Sequence, residues 1–264
     1  ASIVYTSDFG LNVNVGGRLN SHSKYGNHTV YDINPSYNVY ATSNSSLKVL
    51  TSFSTAFIAP STYQLFSVYG NLDLEPETSE TFEFGFESTY KKWLDFNAVF
   101  FNRTENKSII FNSLPAAPWG KYGNSASNIK VKGIEADVVF RPFDNTVVNI
   151  GYTYVDKDAE AFYIPKNKLT ANVQVSPFKN TFFSIDYKNV GERSGSYYDA
   201  AIFSSVVKVL PAYNLLDFNA NYKVLEDTVT FFGSVTNVLN EDYEETLGFN
   251  TRGRNFKLGI RLQF

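Results

Sequence analysis

The chain of 264 residues is 43% hydrophobic, 17% aromatic and 19% charged, with 23 Lys+Arg against 26 Asp+Glu and a formal net charge of −3. That composition excludes a disordered chain and a collagen, and with no run of about twenty apolar residues it excludes a helical membrane protein. Near-neutral charge without basic clusters argues against a nucleic-acid binder, so no nucleic-acid partner is expected.

In chain order the dominant pattern is two-residue alternation, which sends successive side chains to opposite faces of a strand. Leu11, Val13, Val15 and Leu19 alternate with Asn12, Asn14, Gly16, Arg18 and Asn20. Phe82, Phe84 and Phe86 alternate with Glu83, Gly85 and Glu87, and Leu94, Phe96, Ala98 and Phe100 with Asp95, Asn97, Val99 and Phe101. The rhythm returns in Ile134 to Phe140, Leu169 to Val175 and Leu216 to Tyr222, and it closes the chain in Phe256, Leu258, Ile260, Leu262 and Phe264. The spacing predicts about thirteen strands, near 1–6, 11–19, 29–41, 47–59, 80–89, 93–103, 129–140, 146–156, 167–176, 181–190, 213–223, 228–239 and 254–264. No stretch has helical spacing.

The connections alternate in length. Short turns are expected at Ser7–Gly10, Ser43–Ser46, Tyr90–Lys92, Arg141–Asn145, Pro177–Asn180 and Val224–Asp227, and long polar loops at 20–28, 60–79, 104–128, 157–166, 191–212 and 240–253. An antiparallel meander puts successive connections at opposite ends, so one end carries tight turns and the other long loops. That is the layout of a transmembrane antiparallel up-and-down β-barrel, an all-β fold in a bacterial outer membrane, with strands of about ten residues crossing the bilayer at a tilt. The apolar set then faces lipid and the Asn, Asp, Glu, Arg and Gln set a polar lumen.

Three stretches carry a family resemblance. Ser52-Phe53-Ser54-Thr55-Ala56-Phe57-Ile58-Ala59-Pro60-Ser61 is followed by Tyr69-Gly70-Asn71-Leu72-Asp73-Leu74-Glu75-Pro76-Glu77 and by Glu80-Thr81-Phe82-Glu83-Phe84-Gly85. Further on come Lys130-Val131-Lys132-Gly133-Ile134-Glu135-Ala136, and then Val235-Thr236-Asn237-Val238-Leu239-Asn240-Glu241-Asp242-Tyr243-Glu244 with Arg252-Gly253-Arg254-Asn255-Phe256. In order and spacing these resemble the C-terminal half of a TonB-dependent outer-membrane receptor, with loop lengths closest to the cobalamin transporter branch; the terminal Phe264 is similar to an outer-membrane recognition signal.

The resemblance implies a barrel of about 22 strands preceded by a plug and a TonB box. With neither of those here and an odd number of strands, residues 1–264 are expected to be the C-terminal portion of a larger barrel. No Met occurs and Ala1-Ser2-Ile3-Val4 has no leader character, so a start by processing, cleavage or truncation is expected. The implied partners are the lipid bilayer, the N-terminal strands and plug of the same receptor, TonB through that plug, and a small-molecule nutrient. A surface lipoprotein enters under an alternative role, in which the barrel is a platform for a lipoprotein or secretion assembly. A soluble β-rich adhesin is a third role.

No catalytic constellation is present, so no enzyme is expected. There is no Cys, hence no disulfide, thiolate nucleophile or thiolate metal ligand. His22 and His28 read as members of a solvated loop. No cofactor or resident metal is implied. Asp156, Asp158 and Glu160 could hold a hard cation, but a solvated acidic loop accounts for them better, since they lack the Gly and bidentate Glu of a calcium loop. Pro60 and Pro76 read as strand ends, and Gly85, Gly133 and Gly259 as bends or close-packed positions on the lumen face. Loop aromatics are the candidate ligand surface, because large amphipathic rings can stack on a chelate, a corrin or a sugar. Tyr63, Phe66, Phe162 and Tyr163 belong to that set, and Tyr69, Trp119, Tyr122, Tyr197, Tyr198 and Phe249 are the expected binding residues.

Overall fold

The computed structural model describes residues 1–114, 117, 119–158, 162–202, 204–225 and 228–263. Glu160 and Phe264, both singled out above, lie outside them. The elements in order are β1 (Ser2–Thr6), β2 (Leu11–His22), β3 (Gly26–Ala41), β4 (Ser46–Ile58), α1 (Thr62–Phe66), β5 (Glu77–Tyr90), β6 (Leu94–Asn106), β7 (Ile109–Ser113), β8 (Gly120–Asn124) and β9 (Ile129–Phe143). They continue with β10 (Thr146–Lys157), β11 (Asn167–Val175), β12 (Thr181–Val190), β13 (Arg193–Asp199), β14 (Ser204–Leu210), β15 (Tyr213–Val224), β16 (Val229–Thr236) and β17 (Asn255–Leu262).

Thirteen strands form one sheet in the order β1-β2-β3-β4-β5-β6-β9-β10-β11-β12-β15-β16-β17. Every pairing within this sheet is antiparallel and joins strands consecutive along the chain, apart from two hairpins, β7–β8 and β13–β14, that lie outside it; Ser194 of β13 also makes an isolated parallel bridge to Phe162. This is the expected meander, and all thirteen expected strands are present. Three expectations need correcting. The segment read as free of helix contains α1. The stretch 20–28 is a tight hairpin: β2 runs to His22, β3 starts at Gly26, and Gly26 takes φ +75°, a backbone region open to glycine. The loops at 104–128 and 191–212 hold β7–β8 and β13–β14.

A second layer is missing, and burial shows it. The buried hydrophobic residues among those described are Leu65, Leu74, Val190, Leu210 and Tyr213, all at the long-loop end. The apolar sides of the strands remain uncovered by protein: Phe84 is 51% exposed and Leu258 88%. The register places Val148, Val173, Ile185, Phe218, Val235 and Phe256 in one continuous row across six strands. One residue along, Asn149, Asn172, Asp186 and Asp217 make a polar row on the opposite face. In water an apolar face of this extent would collapse onto a partner layer; facing hydrocarbon it needs none.

The polar face satisfies itself. Asn149 donates to Asn172 (3.1 Å), Asn172 to Asp186 (2.6 Å), Gln174 to Asn172 (2.7 Å) and Asn219 to Asp186 (3.2 Å). Lys48 pairs with Glu87 at 3.2 Å and Arg141 with Asp95 at 2.6 Å. Glycines on this face lie beneath neighbouring rings: a Cβ at Gly133 would meet Phe101 Cζ at 2.5 Å, and one at Gly259 would meet Phe232 Cζ at 2.3 Å. Close packing is therefore the role of these glycines. At the tight-turn end Trp93 packs edge-on against Tyr90 (5.5 Å) and Phe140 (5.6 Å), an aromatic group of the kind that marks a membrane interface.

Replacing Phe84 or Phe218 by Arg is expected to block assembly, because a cation on the lipid face costs about 2–4 kcal/mol at the bilayer midplane. Asn97→Asp and Asn219→Asp, on the hydrated face, should leave most of the barrel folded. Heat-modifiable electrophoretic migration of membrane fractions reads the folded share, and equal tolerance at both sets would reverse the assignment of faces.

Candidate functional site

The segment between β4 and β5 starts with a helix held by local chemistry. Ser61 Oγ accepts from the Gln64 N–H (3.3 Å), and the Gln64 side chain accepts from the Ser61 N–H (2.8 Å), a reciprocal capping box that fixes α1 just after Pro60. Leu65 is buried beneath it. The chain then runs along the hairpin β7–β8 as a strap. The Tyr122 N–H donates to Tyr69 O (3.0 Å), and Asn71 Nδ2 donates to Tyr122 O (3.0 Å). Asn124 Oδ1 accepts from the Glu75 N–H and Asn124 Nδ2 donates to Glu75 O, both at 2.9 Å, with a further bond from Nδ2 to Lys107 O at 2.7 Å. Glu77 accepts from the Ile109 N–H, and Lys107 pairs with Glu75. The motif Gly70 to Glu77 thus fastens the hairpin to the barrel rim.

This fastening creates a cavity of about 870 Å³ among the α1 loop, β7–β8 and the tip of β13–β14. It is lined by Tyr63, Tyr69, Phe111, Ser113, Leu114, Trp119, Tyr122, Tyr198, Ile202, Ser204 and Ser205. Phe111 meets Tyr69 edge-on at 5.6 Å and Tyr122 edge-on at 5.3 Å, and Tyr63 meets Tyr122 at 6.2 Å. The cavity gathers four of the expected binding residues, Tyr69, Trp119, Tyr122 and Tyr198, from three separate segments. It does not include Tyr197 or Phe249. Tyr197 precedes Tyr198 on β13 and so points to the other face, where Lys208 Nζ lies 5.7 Å from its ring. Phe249, 70% exposed, sits on a turn closed by its N–H to Thr246 O. Sequence reasoning missed Phe111, Ser113, Leu114, Ile202, Ser204 and Ser205; the run Ile109-Ile110-Phe111 was the available strand signal.

The final loop is a separate, packed unit. Asn237, 5% exposed with φ +52°, accepts from the Glu241 N–H and donates to Glu241 O, each at 2.8 Å. Tyr243 stacks on buried Tyr213 at 4.4 Å, Tyr213 Oη donates to Glu245 Oε1 (2.6 Å), and Arg193 Nη2 donates to Glu244 O (2.6 Å). The Glu245 carboxyl is held below the usual carboxylate range, first by the Tyr213 hydrogen bond and then by Lys188 and Arg193, against an opposing effect of burial. Asp156 pairs with Lys132 (3.7 Å) and Lys166 (3.2 Å), and Asp158 accepts from the Lys130 N–H, so these carboxylates are engaged within the protein. His22 and His28 flank a tight turn instead of lying in a long loop: His22 Nδ1 accepts from the Lys24 N–H at 3.1 Å, and His28 stacks on Phe57 at 4.0 Å. Among the described residues no group of three or more His, Cys, Asp and Glu has a metal-binding arrangement.

The family described as TonB dependent receptor-like, beta-barrel matches residues 2–238. The chain is 27% identical over 261 residues to the vitamin B12 transporter BtuB of Vibrio cholerae, covering 94% of the chain and 39% of that relative. It superposes on the ferripyoverdine receptor of the Pseudomonas aeruginosa outer membrane with a TM-score of 0.77 at 19% identity, covering 100% of this chain and 38% of the other. The siderophore receptor PirA of Acinetobacter baumannii gives a TM-score of 0.78 at 15% identity, with 100% and 45% covered. The chain thus spans less than half the length of these proteins.

Two outcomes follow from the loop chemistry. Asn124→Ala removes three hydrogen bonds at the strap and is expected to raise amide exchange across 107–125 by about tenfold or more, at about 1 kcal/mol net per bond, with the barrel ladder unchanged. Because the Glu245 carboxyl is depressed when folded, its contribution is complete above the ordinary carboxylate pKa and is lost as pH falls through the folded value. Proteolysis of the 240–253 loop should therefore accelerate below the usual carboxylate range, and Glu245→Gln should flatten that pH dependence.

Proposed function

The chain belongs to the TonB-dependent receptor-like β-barrel family, and on that footing we propose that it forms the capture wall of an outer-membrane importer for a scarce nutrient, cobalamin or another metal chelate. The observation that carries this reading is the convergence of Tyr69, Trp119, Tyr122 and Tyr198 on one cavity at the long-loop end. Relatives named as a vitamin B12 transporter, a ferripyoverdine receptor and a siderophore receptor support it.

Capture here requires binding and orientation without bond making. The aromatic faces take up apolar ligand surface, and cavity hydroxyls orient its polar edge. The hydrated lumen row from Asn149 to Asp217 faces the plug of the same receptor, which senses occupancy and connects it to TonB as the source of energy. A second reading, a platform for a surface lipoprotein, draws on the exposed apolar side chains of Phe66, Val68 and Leu72 beside α1. A copurified lipoprotein without ligand binding would favour it.

The test uses the complete receptor, screened against cobalamin, ferric chelates, haem and oligosaccharides. Against the best ligand, at least one of Tyr69→Ala, Trp119→Ala and Tyr122→Ala should lose about 1–3 kcal/mol of affinity, the size expected of a buried aromatic anchor. Phe249→Ala should bind like the parent. If all three cavity variants fold and bind normally, capture lies outside this cavity.

A further inference from the structure

We propose that the cavity selects an uncharged ligand with a flat apolar face and a rim of hydroxyl or amide groups; the inference rests on the capture reading above and narrows it. The first observation is hydrogen-bonding capacity. The lining carries four tyrosine hydroxyls and three serine hydroxyls, and among the described residues no group hydrogen bonds to any of them. Elsewhere in the fold the tyrosine hydroxyls of Tyr152, Tyr163, Tyr187 and Tyr213 donate to Asn167, Ser196, Asn214 and Glu245. A hydroxyl both donates and accepts, so a wall of them complements hydroxyl or amide edges.

The second observation is charge. Residues 108–120 and 200–207, which supply most of the wall, contain no Lys, Arg, Asp or Glu. The cations at its margin are turned elsewhere: Lys107 pairs with Glu75, Lys208 lies over Tyr197 on the opposite face of its hairpin, and Lys121 precedes Tyr122 on β8 and so points to the face away from the cavity. A multiply charged anion entering this space would shed water and gain no countercharge, a cost that a neutral molecule avoids. The edge-on rings around Phe111 leave flat apolar surface for such a ligand, and about 870 Å³ admits several fused or linked rings.

The experiment measures equilibrium binding to the complete receptor in detergent. The neutral probes are cyanocobalamin, with an amide rim, and maltoheptaose, with a hydroxyl rim; the charged probe is a trianionic ferric tris-catecholate. At least one neutral probe should bind with a dissociation constant that changes less than about twofold between low and high salt. Tyr122→Phe and Tyr198→Phe, which delete only hydroxyls, should each weaken that binding by about fivefold. Which neutral probe binds separates an amide-rimmed from a hydroxyl-rimmed ligand. Binding of the tris-catecholate that Trp119→Ala abolishes would overturn the neutral-ligand inference while leaving the capture cavity standing. Binding that ignores Trp119→Ala and both Tyr→Phe changes in folded, heat-modifiable protein would overturn the cavity itself. Failure of both neutral probes to bind also overturns the inference.

Discussion

In hydrocarbon no water is available to hydrogen bond a backbone N–H or C=O, so each strand must find its partners in its neighbours. That constraint organises the molecule. Thirteen strands in an unbroken antiparallel ladder satisfy one another along the sheet, and the sheet needs no second protein layer because lipid covers the row from Val148 to Phe256. The hydrophobic effect, which assembles a soluble domain around its core, here acts between the barrel surface and the membrane. Among the described residues, the buried apolar side chains therefore lie at the end where the chain leaves the bilayer and meets water again.

At that end the physical problem changes. Loop backbone exposed to water is under no obligation to pair, and a fixed cavity needs something to hold it. Side chains bonded to backbone provide that: the Ser61–Gln64 capping box, the Asn124 clamp on Glu75, and Asn237 closing the start of the last loop. Ser61 and Asn237 lie within stretches that carried the family resemblance, and Asn124 bonds directly to one. The motifs act as fasteners between barrel and loops.

The same division explains what was legible in the sequence. Strands crossing the membrane have two different environments on their two faces, so Phe82 to Glu87 and Leu216 to Tyr222 advertise their structure as alternation. Where a strand extends beyond the bilayer, both faces meet water and the signal fades. That is why the outer ends of β2 and β3, and the hairpins β7–β8 and β13–β14, read as loops. The five-residue α1 is too short to show a helical period; its signature was the Ser61–Gln64 spacing alone. Tyr69, Trp119, Tyr122 and Tyr198 were legible as aromatics in long loops. Separating Tyr198 from Tyr197 required the phase of a hairpin that the sequence did not reveal, and serines such as Ser204 carry no pattern.

The two hairpins hang outside the main ladder. Their tips can change residue by residue without shifting the register of any membrane-crossing strand. A lineage built on this plan can vary its rim by small steps, each of them still a well-assembled membrane protein. Diversification at the rim and conservation of the wall then become independent evolutionary variables.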